Sequence, residues 1–404
     1  MKPSELAALL RPRKPILRPT QRRLARCHNV ADLRRIARRR LPRAVFDYVD
    51  GGAEDEVTLR RNTESFAGFE LVPRVLRDVD EPDLTTTILG TRVALPFALA
   101  PTGFTRMVHH EGELAVARAA ARAGIPYTLS TMGTRSIERV AAESSGPHWF
   151  QLYVWRDRGL AKELIERAKA AGYDALILTV DVPVPGSRER DHRNGFTIPP
   201  ALGLRTFLDG ARHPHWWWRF LTGDVLTFEN VSDRAATPSG VMAFLTAQFD
   251  PSVEWHDIEW MREAWGGPFV LKGIMDPDDA RRATEVGVDA MIVSNHGGRQ
   301  LDESPATIEA LPRVIDAVGG RAEVMLDSGI RRGRDIVKAL ALGARACLVG
   351  RAYLYGLGVA GERGVDTAIA MLGDEIRRAL QLVGARTIAD LDRSMVQRRV
   401  SPAP

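Results

Sequence analysis

The chain has 404 residues, 45% hydrophobic and 26% charged, with a formal net charge of +5. This is the composition of a folded protein with enough apolar residues for a large core, and it excludes a low-complexity or disordered chain. No apolar run approaches the ~20 residues of a membrane-spanning helix. Two isolated cysteines, Cys27 and Cys347, exclude a disulfide framework, a thiolate metal site and a CxxC redox pair.

In chain order, the opening "MKPSELAALLRPRKP" breaks its short apolar patch at Arg11 and Pro12, so it lacks a signal-peptide core and the expected location is cytoplasmic. From Arg11 to Arg43 the only acid is Asp32. A solvated arm and helix is the plain reading of this stretch; attraction to an anionic membrane face or acidic partner is the sharper one. Elsewhere charges of both signs are mixed, which speaks against a nucleic-acid surface. Residues 1–94 are expected to form a basic arm and helical entry segment, and residues 95–404 the main domain.

From residue 95 a short β-rich apolar run, a turn and a helical pattern recur. The predicted strands are 95–101, 127–131, 149–154, 175–182, 269–274, 290–296, 323–329 and 346–350. They are apolar throughout, as strands of a parallel sheet covered by helices must be. Eight such units, with no GxGxxG after the first strand, predict an α/β fold of the (β/α)8 TIM-barrel type, with a helical segment before it and a long insertion, residues 183–268, after strand four. Trp216, Trp217 and Trp218 fall in that insertion. They are expected to pack it onto the barrel, with a membrane or acceptor-docking surface as the alternative. A closing helix, "GVDTAIAMLGDEIRRALQLVGA", and a tail follow the last strand.

Reacting groups in such barrels project from the C-terminal strand ends, and polar residues gather there: Pro101, Thr102 and Gly103; Ser130; Gln151 and Tyr153; Thr179 and Asp181; Lys272; Ser294, His296 and Arg299; Asp327, Ser328, Gly329 and Arg331; Gly350 and Arg351. Any one could be structural. Eight strand ends all bearing groups that need partners point to catalysis. "DSGIRRG" and "LVGRAYL" offer glycine amides with Arg331 and Arg351 as phosphate donors. Thr102, Ser130, Gln151, Thr179 and Lys272 suit the edge of a flat heterocycle, which together is the logic of a flavin mononucleotide (FMN) pocket.

The segments "FDYVDGGAEDEVTLRRN", "LAPTGFTRMVHHEGE", "LTVDVPVPGSRERDHRNGF", "SNHGGRQLD" and "LDSGIRRGRDIVKALALGARACLVGRAYLYGL" resemble the FMN-dependent α-hydroxy-acid oxidases and dehydrogenases over residues 30 to 390 or so. The resemblance implies FMN as cofactor, His296 as catalytic base and Asp181 as its carboxylate partner. It also implies Arg188 and Arg299 as binders of a substrate carboxylate, helped by Tyr48 and Tyr153, with Lys272 beside the flavin and Gly297 and Gly298 letting the backbone pass close to it. A homotetramer is implied as well. Met132 stands where some members carry tryptophan, and Gly103 where oxidases carry alanine and acceptor-linked dehydrogenases often glycine. The expected activity is therefore oxidation of a short L-2-hydroxy acid, L-lactate first, with electrons passed to a quinone or cytochrome. The alternatives are an oxygen-using oxidase, a relative that modifies a peptide-derived redox cofactor, and a flavin-holding membrane-surface scaffold without turnover.

Overall fold

The computed structural model describes residues 16–195, 204–224, 226–231 and 249–399. Eight parallel strands close into a barrel: β1 Phe97–Leu99, β2 Tyr127–Ser130, β3 His148–Tyr153, β4 Ala175–Thr179, β5 Phe269–Ile274, β6 Ala290–Val293, β7 Glu323–Leu326 and β8 Ala346–Val349. Each pairs with the next, and β8 closes onto β1. The α/β barrel expected from the apolar runs is the observed fold. Only β5 keeps its predicted bounds. The others stop short at the C-terminal side, β4 at Thr179 and β6 at Val293, where the ladder of hydrogen bonds ends.

Alternation explains why these strands are apolar on both faces. Ala98, Trp149, Ile177, Val270, Ile292, Met325 and Leu348 point inwards and form the barrel's own core. Their neighbours Phe97, Leu99, Phe150, Leu176 and Leu271 point outwards into a second core under the helices. The hairpin Thr86–Ile88 and Thr91–Val93 plugs the N-terminal end of the barrel, with Ile88 and Val93 buried against the inner layer. The entry segment is therefore not wholly helical: short strands are the economical way to cover a barrel mouth. A further strand, Phe69–Leu71, pairs antiparallel with Val396–Arg398 of the tail.

The helices Val30–Arg40 and Arg43–Asp50 precede the barrel, and the first packs on helix Arg351–Ala360 after β8. The long helix Glu362–Val383 closes the outer ring. Helices Glu189–Arg193, Leu204–Ala211 and Pro214–Thr222 follow β4. The tryptophan cluster divides: Trp216 Nε1 donates to the Met107 carbonyl at 2.8 Å and the ring stacks on Phe220, whereas Trp218 is 69% exposed beside Leu221 at 73%. Cys27 and Cys347 are free and buried. Among the described residues no helix is long and apolar enough to cross a membrane.

Candidate active site

The inward parity of each strand, carried one step past its last apolar residue, builds the floor of a cavity of about 640 Å³ at the C-terminal mouth. Val270 is followed by Lys272, Ile177 by Thr179, Trp149 by Gln151 and Tyr153, Thr128 by Ser130, Met325 by Asp327 and Leu348 by Gly350. Every one of these second residues lines the cavity. The loops add Pro101, Thr102, Gly103, Met132, His296, Arg299, Ser328, Gly329, Arg331 and Arg351, and the insertion and entry segment close it with Arg188 and Tyr48. The predicted site residues thus converge on one cavity, with Asp181 and Ser294 standing behind its wall.

His296 follows β6 in the left-handed region, φ +57°, a conformation that costs a non-glycine residue about 1 kcal/mol and that Ser294 Oγ supports by accepting the His296 amide. The turn aims the ring at Asp181, whose Oδ1 lies 2.9 Å from Nδ1. That hydrogen bond leaves the other ring nitrogen as the acceptor on an imidazole that lines the cavity. Burial pushes the His296 pKa down; Asp181 opposes this, Lys272 and Arg299 add to it, and the net value lies below the ordinary 6.5. The ring is neutral at neutral pH and ready to take a proton. Burial also pushes Asp181 up, but the hydrogen bond from the His296 imidazole and the Lys272 charge outweigh it and hold the carboxyl below its usual range.

Lys272 is buried, yet two carboxylates, Asp327 at 3.4 Å and Asp181 at 3.9 Å, outweigh the desolvation and raise its pKa, so it stays charged. Ser294 Oγ accepts from its Nζ at 2.9 Å. Burial drives the Tyr153 phenol up to about 12, so it is a hydrogen-bond donor across the working range.

Arg299 lies beneath the Tyr48 ring, 4.9 Å from its centroid, with Nη1 donating to the Tyr48 and Gly51 carbonyls. Its pKa is lowered by burial first and then by the like charge of Arg188. Two guanidinium groups facing one cavity, with Asp191 the carboxyl that faces them, make a place for an anion.

For three of these expectations the structure shows what else the residues do. Ser294 does not touch the cavity; it is fully buried and instead fixes Lys272 and the His296 turn. Arg351 lines the cavity, but its three guanidinium nitrogens donate to the carbonyls of Val49, Gly297 and Gly51 at 2.7–2.9 Å, so it clamps the entry segment to the β6 loop. Gly297 and Gly298 have positive φ, and a Cβ on them would stand 2.5 Å from Arg351 Nη1 and 2.6 Å from the Leu59 nitrogen, so these neighbours require glycine there too. Two residues inside the quoted motifs were missed. Gln300 ties the β4 and β6 loops together through the carbonyls of Asp181 and Val184, and Asp191 faces Arg188 and Arg299 with a carboxyl raised by burial. Nothing in an isolated amide or a charge run singled them out.

The residues fit FMN. Gln151 Nε2 and Thr179 Oγ1 are buried without a hydrogen-bond partner and both line the cavity, which is the arrangement a polar ring edge would complete. At the opposite side Gly329, Gly350, Arg331 and Arg351 gather amides and cations where β7 and β8 end, the usual phosphate corner of a barrel.

Comparison with known proteins agrees. Residues 37–398 match the FMN-dependent dehydrogenase family. An L-lactate dehydrogenase from Caulobacter vibrioides is 46% identical over 379 residues, 93% of this chain and 99% of that protein. One from Chromohalobacter salexigens is 49% identical over 364 residues, 89% of this chain and 93% of that one. The crystal structure of a monotopic membrane protein, (S)-mandelate dehydrogenase, superposes with a TM-score of 0.90 at 41% identity, covering 92% of this chain and all of that one. A barrel with this cavity, these unpartnered groups and these relatives belongs to the FMN-dependent dehydrogenase family.

Proposed function

We propose that the protein oxidises L-lactate to pyruvate, with His296 as the base, and passes the electrons to a quinone or cytochrome. One observation carries the reading: the neutral imidazole, backed by Asp181 at 2.9 Å, shares its cavity with the paired guanidinium groups of Arg188 and Arg299. Arg299 and Arg188, with the Tyr48 and Tyr153 hydroxyls, hold the substrate carboxylate and so set its α-carbon beside His296. His296 takes one proton from the substrate, and Asp181 stabilises the imidazolium that results. Bound FMN supplies the two-electron acceptor chemistry. Thr102, Ser130, Gln151, Thr179 and Lys272 would hold its ring edge, with Pro101, Gly103 and Asp327 beside them, and Ser328, Gly329, Arg331, Gly350 and Arg351 would hold its phosphate.

Lactate is favoured by the names of the relatives, and an acceptor other than oxygen by Gly103, where an added Cβ would stand 2.9 Å from Met132 Cβ. Contact with a membrane face is supported by Trp218 and Leu221, exposed on a helix near the basic entry segment, and by the monotopic neighbour. We expect a homotetramer, to be checked by light scattering. Anaerobic mixing tests the central claim: L-lactate should bleach the flavin absorbance at a rate no slower than turnover, and failure to do so while another 2-hydroxy acid succeeds removes lactate. Reoxidation by quinone or cytochrome, faster than by oxygen, is the expected acceptor result, and stoichiometric hydrogen peroxide in air refutes it.

A further inference from the structure

Away from the flavin cavity, three arginines meet where helix Val30–Arg40 ends against helix Pro214–Thr222. Arg40 has no hydrogen bond and no ion pair among the described residues, and its Nε is buried without a partner. Arg23 Nε is likewise buried and, among the described residues, unpartnered, with Nη2 donating to Thr20. Arg219 donates from Nη1 to His109 Nε2 at 2.6 Å and lies 3.3 Å from His110 Nδ1, and among the described residues it too meets no carboxylate. Arg40, Arg106, Arg219, His110 and His215 border a pocket of about 50 Å³, several times the ~10–15 Å³ that one water requires and room for a tetrahedral oxyanion.

The acids near it serve its Arg106 side. Asp224 borders the pocket, its carboxylate pairing with Arg135 at 2.8 Å and its carbonyl accepting from Arg106, and Glu113, Asp224 and Glu229 act on the Arg106 charge, while Glu111 lies beyond His109 and is held by Arg118; among the described residues none of them pairs with Arg40 or Arg219. The cations depress one another: burial, then Arg23 and Arg219, bring the Arg40 guanidinium down to about 10. Half-buried guanidinium groups such as those of Arg40 and Arg219 are costly without a counter-charge, and the ligand that best relieves them is a multiply charged oxyanion that accepts from the planar guanidinium fork. His109, His110 and Glu111 also come within 4.8 Å of one another, the spacing of a metal site. Arg219, however, already donates to His109 Nε2 and lies within reach of His110, and its charge would repel a cation.

We infer that this pocket binds a phosphate-class oxyanion, either inorganic phosphate or the phosphate of a lipid headgroup, through Arg40 and Arg219. The site is separate from the flavin chemistry and stands or falls without it. Calorimetric titration of inorganic phosphate into the FMN-loaded protein, at ionic strength fixed with potassium chloride, should show binding that Arg40→Gln and Arg219→Gln each weaken about tenfold or more, the worth of one charged hydrogen bond. Arg40→Lys should keep most of it. Flavin content and flavin reduction by substrate should be unchanged in all three, which separates loss of the pocket from loss of the fold. A second arm uses vesicles of phosphatidylcholine with and without phosphatidic acid. Acid-dependent binding that free phosphate competes away and both glutamine variants lose identifies the headgroup as the source; phosphate binding without vesicle binding identifies the free ion. No binding of either, phosphate heats indifferent to both substitutions, or zinc uptake that depends on His109 and His110 would each overturn the inference.

Discussion

Replacing Asp181 by Asn removes one charge and changes little else in shape. The His296 Nδ1 to Asp181 Oδ1 distance of 2.9 Å puts the imidazolium and carboxylate charges roughly 4 Å apart, worth about 4 kcal/mol at an effective dielectric of about 20. Most of that attraction develops only as His296 becomes protonated, so it belongs to the barrier rather than to substrate binding. The expected loss in the rate of flavin reduction is about 100- to 1,000-fold, with the Kd for substrate changed far less, because Arg188 and Arg299 are untouched. Lys272 keeps Asp327 at 3.4 Å, so FMN should still be retained. Anaerobic stopped-flow spectroscopy measures the reduction directly. A loss of threefold or less in a protein with full flavin content would show that the imidazolium is not formed on the way to product, and the assignment of His296 as base would fall with it.

Three further outcomes are expected. The pKa of His109 falls from 6.5 to about 3 through burial and the neighbouring His110 and Arg219, so the unfolded chain takes up the proton first as pH falls; stability is full above pH ~6.5 and declines by up to about 4 kcal/mol towards pH 3. His109→Gln should flatten that limb in denaturant titrations in phosphate-free buffer, and an unchanged slope would assign the acid sensitivity elsewhere. Arg351→Met deletes three charged hydrogen bonds to Val49, Gly51 and Gly297 and should cost about 3 kcal/mol or more with weakened FMN retention, read from thermal unfolding and bound flavin; a Tm within 2 °C of the parent, roughly the shift of a minor surface change, would remove the clamp. Both thiols are raised by burial, so neither Cys27 nor Cys347 should react with an aromatic disulfide reagent until the protein unfolds, and fast labelling of Cys347 in the native state would contradict its burial inside β8.

The barrel was readable because period and composition are local properties. A strand buried on both faces must be apolar at consecutive positions, and the eight runs obey that rule wherever the chain later places them. The residues gathered round the cavity were readable for a related reason: once strand parity is known, polar residues of inward parity at the strand ends turn towards the mouth, as Gln151, Thr179 and Lys272 do. Motif resemblance then attached chemical roles to positions that parity alone would leave as polar ring members.

Other features depend on which distant residues become neighbours, and no local pattern carries that. Ser294 keeps the inward parity of β6, yet Lys272 from β5 takes its hydroxyl before it can reach the cavity. Arg351 also holds three carbonyls, two of them some 300 residues earlier, a clamp that no local pattern announces. Trp216 and Trp218 are two positions apart on one helix and meet opposite fates, one against Met107 and one in solvent. The cationic pocket needs Arg23, Arg40 and Arg219 together, from segments that sequence separates by about 180 residues. By itself the amino-acid order determined the strands, their facing and the kind of chemistry at the mouth, because these follow from periodicity and side-chain type. Tertiary structure decided which of those groups are left without partners, since satisfaction of a hydrogen bond or a charge is a property of the pair and not of either residue.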